Sequence, residues 1–438
     1  MDRGASPDSG DPRVRVFVRT LGCKVNQVES EQIAAQLLGV GCVLAAQDEA
    51  AVVIVNTCTV TGEADAKTRK AVRHALNSAA GPLVVVTGCL AAIDRAGLES
   101  LGERVVVESD KALVAERVWT HVGARGVAPR RPSGEAPFPR IGAGFHTRAM
   151  VKIEDGCDAF CAYCIVPHAR GAPRSVSRAD VLRECEALVD AGTREIVLTG
   201  VNLGRYCDSN TGLAALVEDV AATGVARLRL SSVEPLDLTD RLLGVLAGSS
   251  AICPHLHVPL QAGCDSTLAA MGRAYTTAAY TDRVSAAREA IPGLAITTDV
   301  IAGFPEESEV HAEETLAFCR AMGFAKMHVF RYSVRENTVA AAMGGQVDPS
   351  ARTSRASALR ELGDELHAAY ARGRVGTVAR VLVERVRDEA GDRIAEGTTE
   401  DYLKARVLSS ARVGDILSVR VARTDGVAVI GEQCAEGS

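Results

Sequence analysis

Residues 149–167 read AMVKIEDGCDAFCAYCIVP, a short strand-like run that opens onto Cys157, Cys161 and Cys164. Gly156 permits a tight turn ahead of the first thiol, and Pro167 closes the loop. Each thiolate binds one iron, so three of them on a four-iron cubane leave one iron open to an exogenous ligand. Zinc is the competing occupant. Closed zinc sites, however, use four Cys or His ligands, commonly in paired two-residue knuckles. Here no second pair lies nearby, and His168 is the one close candidate for a fourth ligand. Phe160 and Tyr163 flank the sulfurs and are expected to shield them from water.

The strand that carries this loop is the first of six. AMVKIED, EIVLTGV, RLRLSSV, HLHVPL, ITTDVIAGF and KMHVFRYS alternate with helical patterns such as Ser177 to Ala191 and Glu307 to Met322. Six βα units predict an open, partial (βα)6 barrel with its site at the carboxyl ends of the strands. Upstream, three apolar runs each end at a cysteine: VRVFVRTLGC at Cys23, AVVIVNTC at Cys58 and PLVVVTGC at Cys89. A fourth, RVVVESD, ends without one. Strands alternating with helices such as VESEQIAAQLLG and EADAKTRKAVRHALN predict an open parallel α/β sheet, whose carboxyl edge would gather the three sulfurs. Downstream of a helix near Ala351 to Gly373, five short strands predict a small all-β, OB-like module. The expected domains are 12–121, a Gly-, Pro- and Arg-rich linker at 122–148, the barrel at 149–374 and the β module at 375–434.

With 438 residues, 47% of them hydrophobic and 24% charged, the chain is expected to be a soluble multidomain protein. No apolar run reaches the roughly 18 residues of a membrane span, and the charged opening MDRGASPDSGDPR lacks a signal peptide's apolar core. The expected address is therefore cytoplasmic, with no membrane partner. Thirteen cysteines in such a chain point to metal or redox chemistry rather than disulfides. Seven of them, Cys42, Cys185, Cys207, Cys253, Cys264, Cys319 and Cys434, have no ligand spacing and read as packing or surface thiols. The net charge of −6 excludes a global basic field, and from Val375 to the end nine Lys or Arg face eleven Asp or Glu. Any nucleic-acid contact must be local. Tyr402, Lys404 and Arg406 mark one place for it, although core packing is the leading role for Tyr402.

The motif CDAFCAYC after a barrel strand resembles the radical S-adenosylmethionine (SAM) superfamily. Further stretches extend the likeness: TLGCKVNQVESEQI, NTCTVTGEAD, VTGCLA, EIVLTGVNLGRY, RLRLSSVEP, HLHVPLQAGCDSTLAAMGRAYT, ITTDVIAGFPEE and HVFRYSVRENTVAAAM. In that order, from about Val14 to Ile430, they resemble the methylthiotransferases, most of all the branch that modifies N6-threonylcarbamoyladenosine (t6A) at position 37 of tRNA. The tail resembles the TRAM domain.

The resemblance implies a transferase that adds a methylthio group at carbon 2 of that base, with SAM as both methyl donor and radical source. Cys157, Cys161 and Cys164 would hold the radical-generating 4Fe-4S cluster, and Cys23, Cys58 and Cys89 a second one. Replacing an unactivated aromatic C–H needs a radical, and the base would leave its stack to reach the chemistry. By position in the barrel, SAM contacts are expected from Thr199, Gly200, Ser232, Glu234, Gln261, Asp299 and Gly303. Arg170 and Arg174 are candidates for a SAM carboxylate or an RNA phosphate, and Asn26 either braces the second-cluster loop or caps the following helix. Implied partners are a tRNA anticodon stem-loop, an electron donor such as flavodoxin or ferredoxin, and iron–sulfur assembly proteins. Two alternatives stay within the family: isopentenyladenosine in tRNA, or a ribosomal protein side chain. One lies outside it, a zinc-stabilised, non-catalytic RNA-binding protein. Departures at His168, Ala262, Arg331, Val334 and Asn337 touch no cysteine and bear on substrate choice.

Overall fold

The computed structural model describes residues 13–123, 147–389 and 392–434. The expected linker at 122–148 and the chain's opening residues fall almost wholly outside these ranges. The chain divides into two compact units, residues 1–139 and 140–438.

The first unit is a five-stranded sheet built from β1 (Arg15–Thr20), β2 (Val43–Leu44), β3 (Val52–Thr57), β4 (Leu83–Gly88) and β5 (Val105–Val107), in the order β2-β1-β3-β4-β5. Every pairing is parallel. Continuous apolar runs suit strands covered on both faces: all six residues of β3 and of β4 are buried. Helix α1 (Lys24–Gly39) and α2 (Gly62–Leu76) make the crossovers from β1 and β3. The apolar residues of the sheet divide between two cores, one around Val53, Val55, Val84 and Val86 and one around Val16, Ile54 and Val85. Strand order reverses between β1 and β3, so the loops after these strands diverge and leave a crevice at the carboxyl edge. β2 was not expected from the sequence; two residues carry no periodicity to read.

In the second unit, six parallel strands follow the predicted order. These are β6 (Ala149–Lys152), β7 (Glu195–Thr199), β8 (Arg227–Leu230), β9 (His255–His257), β10 (Ala295–Ala302) and β11 (Lys326–Arg331). β6, β7 and β8 form one ladder and β9, β10 and β11 another. Parallel bridges Leu228 to Ile252 and Ser232 to His257 join the two ladders into one open wall. A 25-residue helix, α3 (Pro349–Gly373), starts at an Asp348 cap with Pro at its first turn and leads into the tail.

The tail is a closed barrel of β12 (Val378–Glu389), β13 (Asp392–Thr399), β14 (Lys404–Leu408), β15 (Ile416–Thr424) and β16 (Ala428–Gln433), in the order β12-β13-β14-β16-β15. It is fastened to the larger barrel by two buried arginines. Arg227 donates to the carbonyls of Arg380, Thr398 and Thr399, and Arg229 to those of Thr399 and Glu400. Glu195 neutralises both, with N–O distances of 2.7 and 3.1 Å. Tyr402 closes this joint: its ring stacks on His255 at 4.6 Å and lies 4.8 Å from the Arg229 guanidinium. Packing is thus its role. Lys404 and Arg406 remain at the surface, paired with Glu384 and Glu389.

Candidate functional site

The loop after β6 is held from several sides. Gly156 has φ +95°, and a Cβ there would stand 2.2 Å from the carbonyl oxygen of Ala172. Only glycine lets the two segments approach so closely. The Cys157 amide donates to Gly171 O at 2.9 Å and the Ala162 amide to Met271 O at 2.8 Å. Ala340 donates in turn to Ala162 O. Phe160 turns through φ +45° and is 62% exposed. Tyr163 tucks inward, edge-on to Phe304.

Burial pushes the Cys157 thiol up and the Cys164 thiol up to about 12, and in both cases the neighbouring cysteines of the loop add to the rise. Cys161 acts on both of the others and Cys157 on Cys164, so the three sulfurs share one locality, and a cation that displaces their protons relieves the repulsion. Arg273 supplies part of that charge. Its Nη1 donates to Cys161 Sγ at 3.0 Å, its Nη2 to Glu234, and its Nε to Tyr275 Oη at 3.2 Å. Burial alone would lower Arg273, but Tyr163, Tyr275, Glu234 and Cys161 outweigh it and hold the guanidinium cationic.

Glu154 pins the opposite side of the loop. Its Oε2 accepts from the amides of Val201 and Asn202 at 2.9 and 2.8 Å, tying the turn after β7 to the cysteine loop. Gly200 sits against that carboxylate; a Cβ there would be 2.9 Å from Oε2. Neither Arg273 nor Glu154 was singled out from sequence. Their partners are distant in the chain, and no spacing announces them.

The first unit gathers its own trio. Cys58 and Cys89 immediately follow β3 and β4, and Cys23 lies three residues past β1. Cys58 is pushed up to about 11, by burial first and then by Cys23 and Cys89. Gly22, at φ +110°, lies so close that its Cβ would be 3.1 Å from Cys58 Sγ. Asn26 braces the loop: Nδ2 donates to Leu21 O and Thr57 O at 2.7 and 2.8 Å. It does not cap α1, whose N-cap position is Cys23. Thr57 Oγ1 ties the third loop by donating to Thr87 O and accepting from the Leu90 amide.

A single tetrahedral zinc would need a fourth ligand beside three thiolates, whereas a cubane bonds one iron to each of three sulfurs and keeps one open. His168 is exposed and faces Phe160.

The residues expected to contact SAM occupy the carboxyl ends of the barrel strands. Thr199 is buried at the end of β7, and Ser232 bridges to His257. Glu234 is engaged by Arg273. Gln261 has φ +67° and bonds through its backbone to Asp299 and Ile301. Asp299 lies on β10, 3.3 Å from His257 Nε2. Gly303, at φ +76°, packs under α3, where a Cβ would fall 2.2 Å from Arg352 Cγ. Gly200 and Gly303 are thus both closely packed on the side where a Cβ would stand. Arg170 is buried and bonded to Asp155 at 2.8 Å, while Arg174 is exposed.

The two halves of this arrangement match known families. Residues 15–108 match the uncharacterized protein family UPF0004, and residues 151–319 match the radical SAM superfamily. The chain is 35% identical over 422 residues to threonylcarbamoyladenosine tRNA methylthiotransferase MtaB of Bacillus subtilis, covering 93% of each. It is 33% identical to tRNA-2-methylthio-N(6)-dimethylallyladenosine synthase of Anaeromyxobacter sp. (strain K), over 98% of this chain and 96% of that one. Among solved structures, the radical SAM methyltransferase TsrM from Kitasatospora setae superposes with a TM-score of 0.56 at 15% identity, over 75% of this chain and 77% of that one. The superposition supports the barrel fold. The chain belongs to the radical SAM methylthiotransferase family, whose members are transferases working with SAM and 4Fe-4S clusters.

Proposed function

We propose that this protein adds a methylthio group to carbon 2 of t6A at position 37 of tRNA, with SAM as methyl donor and radical source. The observation that carries the reading is identity at 35% over 93% of both chains to a relative named for that substrate. The six cysteines are assigned as cluster ligands: Cys157, Cys161 and Cys164 in the barrel, Cys23, Cys58 and Cys89 on the sheet. The assignment is supported by the electrostatic influence of Cys157 and Cys161 on Cys164 and of Cys23 and Cys89 on Cys58.

When bound, the clusters and SAM supply the radical and the methylated sulfur that substitution of an aromatic C–H requires. The protein's part is positioning. Arg273 orients Cys161 and places positive charge beside it, Glu154 fixes the loop against the turn at 200–202, and Asn26 and Thr57 fix the sheet loops. Thr199, Gly200, Ser232, Glu234, Gln261, Asp299 and Gly303 are assigned to the SAM wall, where Gly200 and Gly303 also let the backbone pack closely. The functional parts are taken as 12–121, 149–374 and 375–434. A tRNA anticodon loop is read by edge contacts and stacking rather than by bulk charge, so an acidic chain suits it. No helix among the described residues is long and apolar enough to cross a membrane. A cytoplasmic address, a flavodoxin or ferredoxin donor and assembly partners belong to the same proposal.

Anaerobically reconstituted protein should carry about eight irons per chain on the two-cluster count. Replacing Cys157, Cys161 and Cys164 together by Ala should remove half of them. A colourless protein containing zinc would overturn the cluster assignment. Mass spectrometry of tRNA from a deletion strain tests the substrate. The 2-methylthio form of t6A should disappear, and loss of the isopentenyladenosine derivative instead would move the assignment to that nucleoside.

A further inference from the structure

The inner wall of the open barrel carries a second group of ligating side chains, apart from both cysteine trios. His257, Asp299 and His328 stand on the consecutive strands β9, β10 and β11. In the ladder His257 is paired with Thr297 and Asp299 with His328, so the two-residue strand period brings all four side chains to one face. The ligand atoms of His257, Asp299 and His328 all lie within 4.8 Å of one another, the one such His, Cys, Asp or Glu trio among the described residues. Thr297 Oγ1 sits 2.9 Å from His257 Nδ1 and 3.1 Å from His255 Nε2. It fixes the His257 ring so that Nε2 faces Asp299 Oδ1 at 3.3 Å. An outer hydrogen bond that orients a histidine is the usual companion of a metal-ligating imidazole.

The plainer reading is a hydrogen-bonded His–Asp pair. It accounts for His257 and Asp299, while His328 brings a further ring nitrogen to the same place, its ring 5.8 Å from that of His257. Two imidazoles and one carboxylate are a donor set for a divalent first-row metal, with bonds of about 2.0–2.2 Å that need only small rotamer adjustments here. The substrate proposed above brings a carboxylate of its own, a group that suits an open position on such an ion.

We propose that His257 Nε2, the Asp299 carboxylate and a ring nitrogen of His328 bind one divalent metal ion. Its open positions take the carboxylate of the threonylcarbamoyl group. The second half rests on the t6A reading; the first does not. Asp299 thereby becomes a metal ligand in place of the SAM contact expected from its position.

The test uses holoprotein with both clusters in the EPR-silent oxidised state, titrated with Mn2+. Loss of the free-ion six-line signal should report one bound Mn2+ per chain. His257→Ala and His328→Ala should each weaken binding at least tenfold, with iron content and far-UV circular dichroism unchanged. His328 is exposed, so its variant is expected to fold. Wild-type holoprotein that leaves all Mn2+ free, and retains no Zn2+ after desalting, overturns the site. With Mn2+ bound, t6A nucleoside should broaden the bound-ion spectrum and isopentenyladenosine should not. No response to t6A overturns the carboxylate contact alone, whereas failure of the t6A reading itself would appear in the deletion-strain tRNA.

Discussion

Arg273 donates from Nη1 to the sulfur of Cys161 across 3.0 Å, although 112 residues separate them in the chain. A hydrogen bond and a positive charge at a ligand sulfur favour the reduced, more negative cluster. Arg273→Gln should therefore shift the barrel cluster to a lower potential and slow SAM cleavage about 10- to 100-fold, with iron content retained. Arg273→Lys, which keeps the charge and loses the fork, should fall between. EPR-monitored potentiometry checks this, and a potential equal to wild type would refute it.

Glu195 is fully buried between Arg227 and Arg229, and those two hold backbone carbonyls of the C-terminal barrel. Removing the carboxylate leaves two guanidinium groups in the interior without their counter-charge. Such a break typically costs about 3–5 kcal/mol. Glu195→Ala should lower the urea midpoint accordingly and expose the segment between β11 and β12 to limited proteolysis. An unchanged midpoint would mean that the carbonyls alone hold the joint.

Glycine geometry makes a third prediction, with its own control. Gly156 and Gly414 share positive φ, +95° and +96°, but only Gly156 has a backbone oxygen where a Cβ would go. Gly414→Ala should cost about 1–2 kcal/mol from conformation alone. Gly156→Ala adds a clash worth about 1–3 kcal/mol and displaces the cysteine loop. Denaturation of cluster-free protein measures both. Equal losses would show that the contact with Ala172 relaxes freely.

These residues also show what the sequence makes legible. The cysteine trios were readable because strand ends and close spacing are local signals: each of Cys23, Cys58 and Cys89 follows an apolar run, and parallel topology does the rest. The six barrel strands and the five-stranded tail announce themselves in the same way, through β-rich runs and turn residues. β2 has only two residues and gives no pattern. Arg273, Glu154, His257 and His328 carry no sequence signal, and Asp299 none that joins it to the two histidines, because their significance lies in register and tertiary approach. Tyr402 was readable as a core residue, but its stacking partner His255 was not. The crowding at Gly200 and Gly303, from Glu154 and Arg352, is likewise something that no local pattern contains.

Glu154 gives the last prediction. Burial raises its carboxyl from the ordinary 4.5 to about 7, against the pull of the Asn202 and Val201 amides. A carboxyl raised by folding binds its proton more tightly in the native state. Its contribution is therefore fully present below the unfolded value near 4.5 and is lost as pH climbs through about 7. At about 1.4 kcal/mol per pH unit, that interval corresponds to about 3 kcal/mol as an upper bound. Glu154→Gln keeps an acceptor for the two amides and cannot ionise. Between pH 5 and pH 8, wild-type stability should decline relative to the variant, and the variant should be the more stable of the two at pH 8. Urea denaturation of both proteins across this range decides the matter: parallel curves would mean that the buried carboxyl titrates as it does in the unfolded chain, and that the cysteine loop is not anchored through a protonated Glu154.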